Sequence, residues 1–323
     1  MEEKQYYKEQ RISSSSLKHF EQSPSLFKKY LNQELEQWST YFLDKGKQIH
    51  MALLEPEEFK KNYTVVNFET PKSEQQKQFC EDYVKLPDKM LDDKTLLKAY
   101  KNNYKTGKND EKILKDAETL KLKLAPYIEY LEKRKQYKDI LSWATWTRIS
   151  DLKEGVVKHK LAKELMADEE LDTKKIYNEL IIFWEDPIHK LPCKSMIDRL
   201  VIDEDKKEIT LIDLKTANTF NKFKDRCRDF SYFRQLAFYW YAIQWWAINE
   251  AKINIDDYTK KTYIIALKTT DDAEVKVFDI RDVHLTEGDV DMQLIMGNIA
   301  WHWENDKWEY SRKYYTGDGE DEL

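Results

Sequence analysis

The chain has 323 residues, enough for one large domain or two ordinary ones. Apolar residues make up 41%, and only seven Gly and seven Pro occur, which argues against a disordered chain and a loop-rich all-β fold. The formal net charge of −6 argues against a broad polyanion-binding surface, although it leaves room for one local basic groove.

Cysteine usage and the longest apolar run bound the environment of the protein. Cys80, Cys193 and Cys227 are far apart, fit reduced thiols, and cannot form a four-thiolate iron–sulfur cluster. No signal region opens the chain, and the longest nearly apolar run, Leu236 to Ile248, is too short to span a bilayer. No G-x-x-x-x-G-K-[ST] phosphate loop is present, so no nucleotide cofactor is expected. We therefore expect a soluble cytoplasmic protein that does not bind membranes.

The first half of the chain has the periodicity of helices. Residues 13–16, SSSS, precede an apolar-periodic stretch and predict a capped helix that breaks near Pro24. A second helix is predicted over 43–54. The Lys/Glu-rich stretch from 71 to about 170 predicts two or three long, solvated helices. The clearest of these cover 109–135 and 151–168.

The second half begins with short runs of β-branched and aromatic residues that predict strands. Strands are predicted over 175–184, 194–203, 208–217, 262–269 and 274–280, and helices over 227–250 and 287–305. This order predicts an α/β (α+β) fold with a central mixed sheet flanked by helices. We expect a helical N-terminal region (1–170) packed on the core (171–310) as one integrated domain, and an acidic, disordered tail (311–323).

The segment 194–217 is predicted to form a hairpin with acids in register. With residues 204–207 as its loop, opposed residue numbers sum to 411, so Asp198 faces Asp213. Like charges directly opposed, with Cβ atoms roughly 4.5–5.5 Å apart, are destabilising. A divalent cation would remove that cost, and Mg²⁺ favours one or two carboxylates with substrate phosphate completing its shell.

Lys215 lies on the same face as Asp213, because side chains alternate along a strand. Two acids and a lysine on neighbouring strands suit phosphodiester hydrolysis, in which the lysine orients the attacking water. An exposed hairpin with ordinary surface acids explains the spacing equally well, since a register slip of one residue would separate the acids. The spacing alone leaves both interpretations open.

Four sequence elements resemble the PD-(D/E)xK nuclease superfamily. M-I-D-R-L at 196–200 followed by L-I-D-L-K-T-A at 211–217 is similar to its signature. Q-L-A-F-Y at 235–239 is similar to the Q-x-x-x-Y element of the RecB-like branch, and G-K-Q-I-H at 46–50 to its G-x-x-x-H helix. The opening S-S-S-L-K-H-F…S-P resembles exonuclease VIII-type proteins, often carried by phages. The resemblance implies a restriction-endonuclease-like core and Mg²⁺- or Mn²⁺-dependent cleavage of DNA.

The same resemblance implies roles for the flanking residues. His50 would be a metal ligand with Asp198 and Asp213, and Glu179 an outer ligand or water-holder. Gln235 and Tyr239 would contact DNA or support the site. Each also has a structural interpretation: a half-buried core histidine, an exposed strand glutamate, and two residues of an aromatic helix one turn apart.

Basic residues interleaved with aromatics follow directly after the D-x-K strand and predict a DNA-binding segment. They are Lys222, Lys224, Arg226, Arg228 and Arg234. A basic loop covering apolar core explains this segment equally well.

The favoured hypothesis is a DNA exonuclease that processes duplex ends for recombination. The alternatives are an endonuclease or single-strand nuclease used in defence, and a non-catalytic DNA-binding or assembly protein with the same fold. The resemblance also implies a bacterial or phage origin, a single-strand annealing protein as partner, and homo-oligomers.

Overall fold

The computed structural model describes residues 3–35, 41–85, 93–169, 172–270, 272–317 and 319. The chain forms two compact units, one of Met1–His50 with Leu152–Leu323 and one of Met51–Asp151. Residues 1–50 therefore group with the predicted core, and the helical region rejoins that unit at residue 152. The boundary near residue 170 and the integration of the chain into one domain stay predictions.

Four helices open the chain: α1 (Glu3–Lys8), α2 (Ser14–Gln22), α3 (Pro24–Leu31) and α4 (Tyr41–Leu54). A capping box begins α2, because the Ser13 side chain accepts the Ser16 N–H and the Ser16 hydroxyl in turn accepts the Ser13 N–H. Ser23 caps α3, whose first position is Pro24. The break near Pro24 and the helix over 43–54 are thus confirmed.

The second unit is helical around a small core of its own. It contains α5 (Pro56–Asn62), β1 (Tyr63–Val65), α6 (Glu74–Val84), α7 (Asp93–Asn103), α8 (Asp110–Lys123), α9 (Ala125–Lys133) and β2 (Asp139–Leu141), and β1 pairs with β2 in parallel. Phe79, Cys80 and Leu96 are among its buried residues. Two further helices, α10 (Trp143–Lys158) and α11 (Lys160–Leu165), lead into the sheet.

The prediction of two or three long helices between 71 and 170 is wrong. The described residues of that stretch form six shorter helices, α6 to α11. Pro126 sits in the first turn of α9 and has no N–H with which to continue α8. His159 separates α10 from α11, because its ring accepts the Ala162 N–H and caps a new helix.

A five-stranded sheet forms the centre of the first unit. Its strands are β3 (Lys174–Glu185), β4 (Pro192–Asp203), β5 (Glu208–Ala217), β6 (Thr259–Lys268) and β7 (Val275–Asp279), in that spatial order. The β5–β6 pair is parallel and the other pairs are antiparallel. All five predicted strands are confirmed. The β4–β5 register is confirmed as well, since Asp203 pairs with Glu208 and Arg199 with Ile212.

Helices connect and cover these strands. The crossover between β5 and β6 contains α12 (Phe223–Asp229) and α13 (Tyr232–Trp246), and α14 (Asp282–Asn305) and α15 (Arg312–Thr316) follow β7. The single helix predicted over 227–250 is wrong, because Ser231 adopts a left-handed φ of 55° and separates α12 from α13. The predicted disordered tail includes α15, and residues 318 and 320–323 lie outside the described residues.

The main core lies between the sheet and helices α2, α13 and α14. Leu17, Leu211, Phe238 and Met292 are completely buried in it. The backbones of α13 and α14 approach closely at Gly288, where a Cβ atom would lie 2.2 Å from the Phe233 carbonyl oxygen. The predicted mixed α/β fold, a mixed sheet flanked by helices, is confirmed. Among the described helices, none has the length and apolar character needed to cross a bilayer.

Candidate active site

Three acidic residues occupy one row across the strands β3, β4 and β5. In the β3–β4 ladder Asn178 pairs with Arg199 and Leu180 with Ile197, so Glu179 lies opposite Asp198. In the β4–β5 ladder the last pair is Arg199–Ile212, and the same register places Asp213 next, opposite Asp198. The sheet therefore sets Asp198 between two other carboxylates.

Glu179 has a strained backbone at this position. Its φ of 48° falls in the left-handed region, which costs a non-glycine residue on the order of 1–3 kcal/mol. The register is the same on both sides of it, so no extra residue accounts for the distortion. Strain of this kind concentrates at functional sites.

A group of possible metal ligands surrounds Asp198. His50, Glu179 and Asp198 each offer one ligand atom, and these atoms lie within 4.8 Å of one another. His50 Nδ1 is 3.8 Å from Asp198 Oδ2, which also accepts a 2.7 Å hydrogen bond from the Leu214 N–H. His50 comes from the last turns of α4, and a Cβ atom placed on Gly46 of the same helix would lie 3.7 Å from the Thr216 hydroxyl, an ordinary van der Waals contact.

The D-x-K residues form a buried ion pair beside that group. Lys215 Nζ lies 2.7 Å from Asp213 Oδ2, and the Asp213 side chain is only 1% exposed. Apart from this ion pair, neither oxygen of Asp213 has a hydrogen-bond partner among the described residues. A buried carboxylate without such a partner is costly, and a divalent cation would satisfy it. His50, Glu179 and Asp198 therefore form a donor set that fits a divalent metal, and Asp213 lies next to it in the same row.

Burial dominates the electrostatics of this cluster. Burial, together with the charge of the neighbouring Asp198, raises the pKa of Asp213 to about 6 against the opposing effect of Lys215. Burial also raises the pKa of Asp198. Burial opposes the charge of Lys215, but Asp213 and Asp198 outweigh it and raise the pKa of that ammonium.

His50 is affected in the opposite direction. Burial first, and then the Lys215 charge, lower its pKa to about 4. The imidazole is therefore neutral at pH 7, which is the form that binds a metal ion.

Helix α13 brings the two residues of the Q-x-x-x-Y element to the same place. The Gln235 side-chain amide donates a 2.7 Å hydrogen bond to the Tyr239 hydroxyl. Burial and the charges of Asp198 and Asp213 raise the pKa of Tyr239 far above its ordinary value. The hydroxyl thus keeps its proton beside the acids, and Gln235 reaches the site through it.

The predicted DNA-binding residues are not equally available. Lys222 and Lys224 are exposed. Arg226 donates a hydrogen bond to the Thr219 carbonyl, and Arg228 makes two hydrogen bonds to Glu287. These two side chains keep only part of their hydrogen-bonding capacity for a ligand.

Arg234 does not fit the predicted DNA-binding role. Its side chain is 1% exposed, and its guanidinium binds Glu21 through two hydrogen bonds and Asp291 through a third. Burial and the pairing with these two acids keep the Arg234 guanidinium away from the surface that DNA would contact. Arg234 joins α2, α13 and α14.

An open depression accompanies the basic segment. It has a volume of about 380 Å³ and is lined by Thr219, Asn221, Lys222, Asp225, Arg226 and Asp229. It includes none of the three acids of the row, so it is a neighbouring surface rather than the catalytic centre.

The model of the PD-(D/E)XK nuclease superfamily matches residues 11–288, most of the chain. The chain belongs to this superfamily. No curated protein matches it. A solved structure from Eubacterium rectale, of a protein described as a putative exonuclease, is similar with a TM-score of 0.50 and 11% sequence identity. The similarity covers 100% of this chain and 96% of that one, and at this identity it concerns the fold.

Membership of this superfamily identifies the chain as a nuclease. Superfamily members are nucleases that use divalent metals, which agrees with the His50–Glu179–Asp198 group. Two features of the site had no signal in the sequence: the left-handed backbone of Glu179 and the hydrogen bond from Leu214 to Asp198. The sequence reasoning also passed over Lys18, which follows the SSSS segment in α2 and lies near Lys215.

Proposed function

We propose that this nuclease is a Mg²⁺- or Mn²⁺-dependent DNA exonuclease that hydrolyses phosphodiester bonds at duplex ends and so prepares DNA for recombination. The observation that carries the hydrolytic part is the position of Asp198. It lies in register between Glu179 and Asp213, with His50 at 3.8 Å, while Lys215 is 2.7 Å from Asp213.

Each residue has a task in this proposal. A bound divalent ion supplies Lewis-acid chemistry, lowering the pKa of water and screening phosphate charge. Asp198, Asp213, His50 and Glu179 would hold that ion. Lys215 would orient the attacking water and contact the phosphate, since its ammonium lies beside Asp213 and 14% of its side chain is exposed.

The residues of α13 support the acids. The Tyr239 hydroxyl keeps its proton and can donate a hydrogen bond towards the carboxylates or a phosphate oxygen. Gln235 fixes the orientation of that hydroxyl through their 2.7 Å hydrogen bond. The exposed Lys222 and Lys224 would contact the DNA backbone beyond the site.

Exonuclease rather than endonuclease activity has weaker support. The Eubacterium rectale protein of similar fold is described as a putative exonuclease. The opening S-S-S-L-K-H-F…S-P and the Q-x-x-x-Y element resemble exonuclease VIII-type and RecB-like proteins. A recombination role, an annealing protein as partner and a homo-oligomer follow from the same resemblance.

Product analysis tests the proposal. End-labelled linear duplex and closed circular DNA are incubated with Mg²⁺, Mn²⁺ or EDTA, using wild type and Asp198→Ala. We expect mononucleotides or short products from linear DNA with metal only, and intact circles. Nicked circles would show an endonuclease. Binding of ends without any product in either metal would show a non-catalytic protein.

A further inference from the structure

A pair of stacked aromatic rings adjoins Lys215 at the junction of α12 and α13. The rings of Phe230 and Tyr232 are stacked, with centroids 5.8 Å apart. Lys215 Nζ lies 4.8 Å from the centroid of Tyr232. Together these distances place the Phe230 ring within about 11 Å of the Lys215 ammonium, roughly three stacked base steps of 3.4 Å.

Phe230 differs from the other aromatic residues of this segment in its exposure. It is 50% exposed, whereas Phe223 and Phe233 are each 5% exposed and belong to the core. A single exposed apolar side chain is common on protein surfaces, so exposure alone assigns no role. The neighbouring charges provide the second observation.

Lys18 of α2 also adjoins Phe230, with its Nζ 6.0 Å from the ring centroid. Partial burial, followed by the charges of Arg234 and Lys215, lowers the pKa of Lys18 despite the opposing effect of Glu21. Arg234 is already bound to Glu21 and Asp291. Among the described residues no carboxylate lies within 4.0 Å of the Lys18 ammonium, so this cation is available to an anion.

We propose that Phe230 stacks on an unpaired base of the DNA substrate and that Lys18 binds the phosphate of the same nucleotide, next to the bond that is cut. The inference rests on the proposed nuclease function and specifies its substrate: a DNA end with at least one unpaired nucleotide. A base inside a duplex is stacked on both faces, and a blunt end offers only the outer face of its last base pair, whereas an unpaired base is free to rotate onto the Phe230 ring.

The geometry suits this task. Tyr232 supports the inner face of Phe230 and is itself beside Lys215, so the step from the stacking ring to the acids is continuous. Stacking on an aromatic ring tolerates every base, and a lysine contact reads the phosphate without reading the sequence. Such a pair would favour frayed or single-stranded ends over blunt ends for any sequence.

Fluorescence binding tests this inference separately from cleavage. Duplexes with a three-nucleotide overhang ending in 2-aminopurine, and blunt duplexes, are titrated with full-length protein in Ca²⁺, and gels check that the DNA stays intact. Phe230→Ala is expected to weaken overhang binding roughly 5- to 150-fold and to abolish quenching of the terminal base, with less than about threefold effect on blunt DNA. Phe230→Trp should retain both signals.

Lys18→Ala should lower the slope of log affinity against log salt by about one for the overhang substrate, and Lys18→Arg should preserve it. Tyr310→Ala is the matched control for Phe230, because Tyr310 is also 50% exposed in the same unit. Lys158→Ala is the control for Lys18.

The inference would be overturned if folded Phe230→Ala bound the overhang substrate and quenched its terminal base as wild type does. It would also be overturned if Phe230→Ala changed the oligomeric state and left DNA binding unchanged. If wild type binds and cleaves DNA but Phe230→Ala and Lys18→Ala bind the overhang substrate as their control variants do, only this inference fails. If wild type neither binds nor cleaves DNA, the proposed function fails with it.

Discussion

Asp198 Oδ2 accepts a 2.7 Å hydrogen bond from the backbone N–H of Leu214, the residue between Asp213 and Lys215. A side chain of β4 is thereby tied to the main chain of β5, just beyond the last regular pair, Arg199–Ile212. This bond holds the Asp198 carboxylate close to both D-x-K residues. It also keeps like charges together, at a cost that a bound cation removes.

That cost predicts a stability effect for Asp213→Asn in the metal-free protein. The folded-state pKa of Asp213 is about 6, above its ordinary value of 3.8. The folded state therefore loses stability as the pH rises from about 4 through 6, because the unfolded chain ionises more easily. Asparagine removes this loss, so in EDTA the variant should melt a few degrees higher than wild type at pH 7.5.

The same pair of proteins provides its own control at low pH. At pH 4 the Asp213 carboxyl is protonated in folded wild type and about half protonated in the unfolded chain, so most of the advantage of the variant should disappear. Equal differences in Tm at pH 4 and pH 7.5 would contradict the electrostatic explanation. With saturating Mn²⁺ at pH 7.5 wild type should gain more stability than Asp213→Asn.

His50→Ala separates a ligand from a core residue. The neutral His50 imidazole, with its pKa lowered to about 4, is ready to bind metal at pH 7. If His50 is a ligand, His50→Ala should weaken Mn²⁺ binding by at least about 10- to 100-fold and change the Tm of the metal-free protein little. Calorimetric titration with Mn²⁺ measures the affinity, and His19→Ala, which changes a histidine outside the acidic group, should leave it unchanged.

The pH dependence of stability gives a second readout for His50. Since its pKa is below the unfolded value of about 6.5, the unfolded chain gains a proton first as the pH falls from 6.5 to 4, and stability is lost in that window. His50→Gln should lessen this loss. A large drop in Tm at pH 7.5 with normal metal affinity would identify His50 as a core residue.

Much of the sheet could be predicted from the sequence, and the helices less well. The strands β3 to β5 are short runs rich in β-branched and aromatic residues, and the loop 204–207 fixes the β4–β5 register, so Asp198 and Asp213 could be matched from numbering alone. Helical periodicity continues through breaks made by capping. The His159 ring caps a new helix and the left-handed backbone of Ser231 separates two others. The pattern of apolar residues predicts neither break.

The site was predictable where it depends on residue type and not where it depends on packing. The carboxylates and Lys215 could be recognised by their spacing. Arg234 lies in the same basic segment as Lys222, yet the structure buries it against Glu21, which is 213 residues away in sequence. Such a long-range partner decides whether an arginine faces solvent, and a local charge pattern cannot indicate it.

Gly288→Ala tests the close approach of α13 and α14. The added methyl group would lie 2.2 Å from the Phe233 carbonyl oxygen and 2.6 Å from the Arg234 nitrogen, so the helices must move apart. We expect a loss of about 2 kcal/mol or more in the free energy of unfolding, despite better helix propensity. Gly297→Ala in the same helix is the control, because its nearest neighbour is a His189 ring carbon at 3.4 Å.

Chemical denaturation compares the two glycine variants directly. Gly297→Ala should stay within about 1 kcal/mol of wild type, since it gains helix propensity and meets only a movable side chain. Equal stability of both variants would contradict the close helix contact. Because Gly288 is far in sequence from the acids, a folded Gly288→Ala protein with weak cleavage would indicate that α13 positions Gln235 and Tyr239.

Lys215→Ala distinguishes a catalytic lysine from a structural ion pair. Lys215 contacts Asp213 at 2.7 Å, and its ammonium has no free lone pair, so it cannot itself be a metal ligand. The variant should keep Mn²⁺ affinity and most DNA affinity while cleavage falls by on the order of 10²–10³. Calorimetry, DNA binding and single-turnover cleavage measure the three quantities.

Two further comparisons make the Lys215 prediction decisive. Lys215→Arg should not restore cleavage, because a planar guanidinium cannot replace a compact ammonium between Asp213 and the Tyr232 ring, 4.8 Å away. Lys222→Ala, on the exposed basic segment, should weaken DNA binding and leave the single-turnover rate at saturating protein nearly unchanged. Cleavage by Lys215→Ala at the wild-type rate would refute the D-x-K assignment, even with metal-dependent nuclease activity intact. Loss of Mn²⁺ binding in the same variant would instead give Lys215 a role in holding the acids in place.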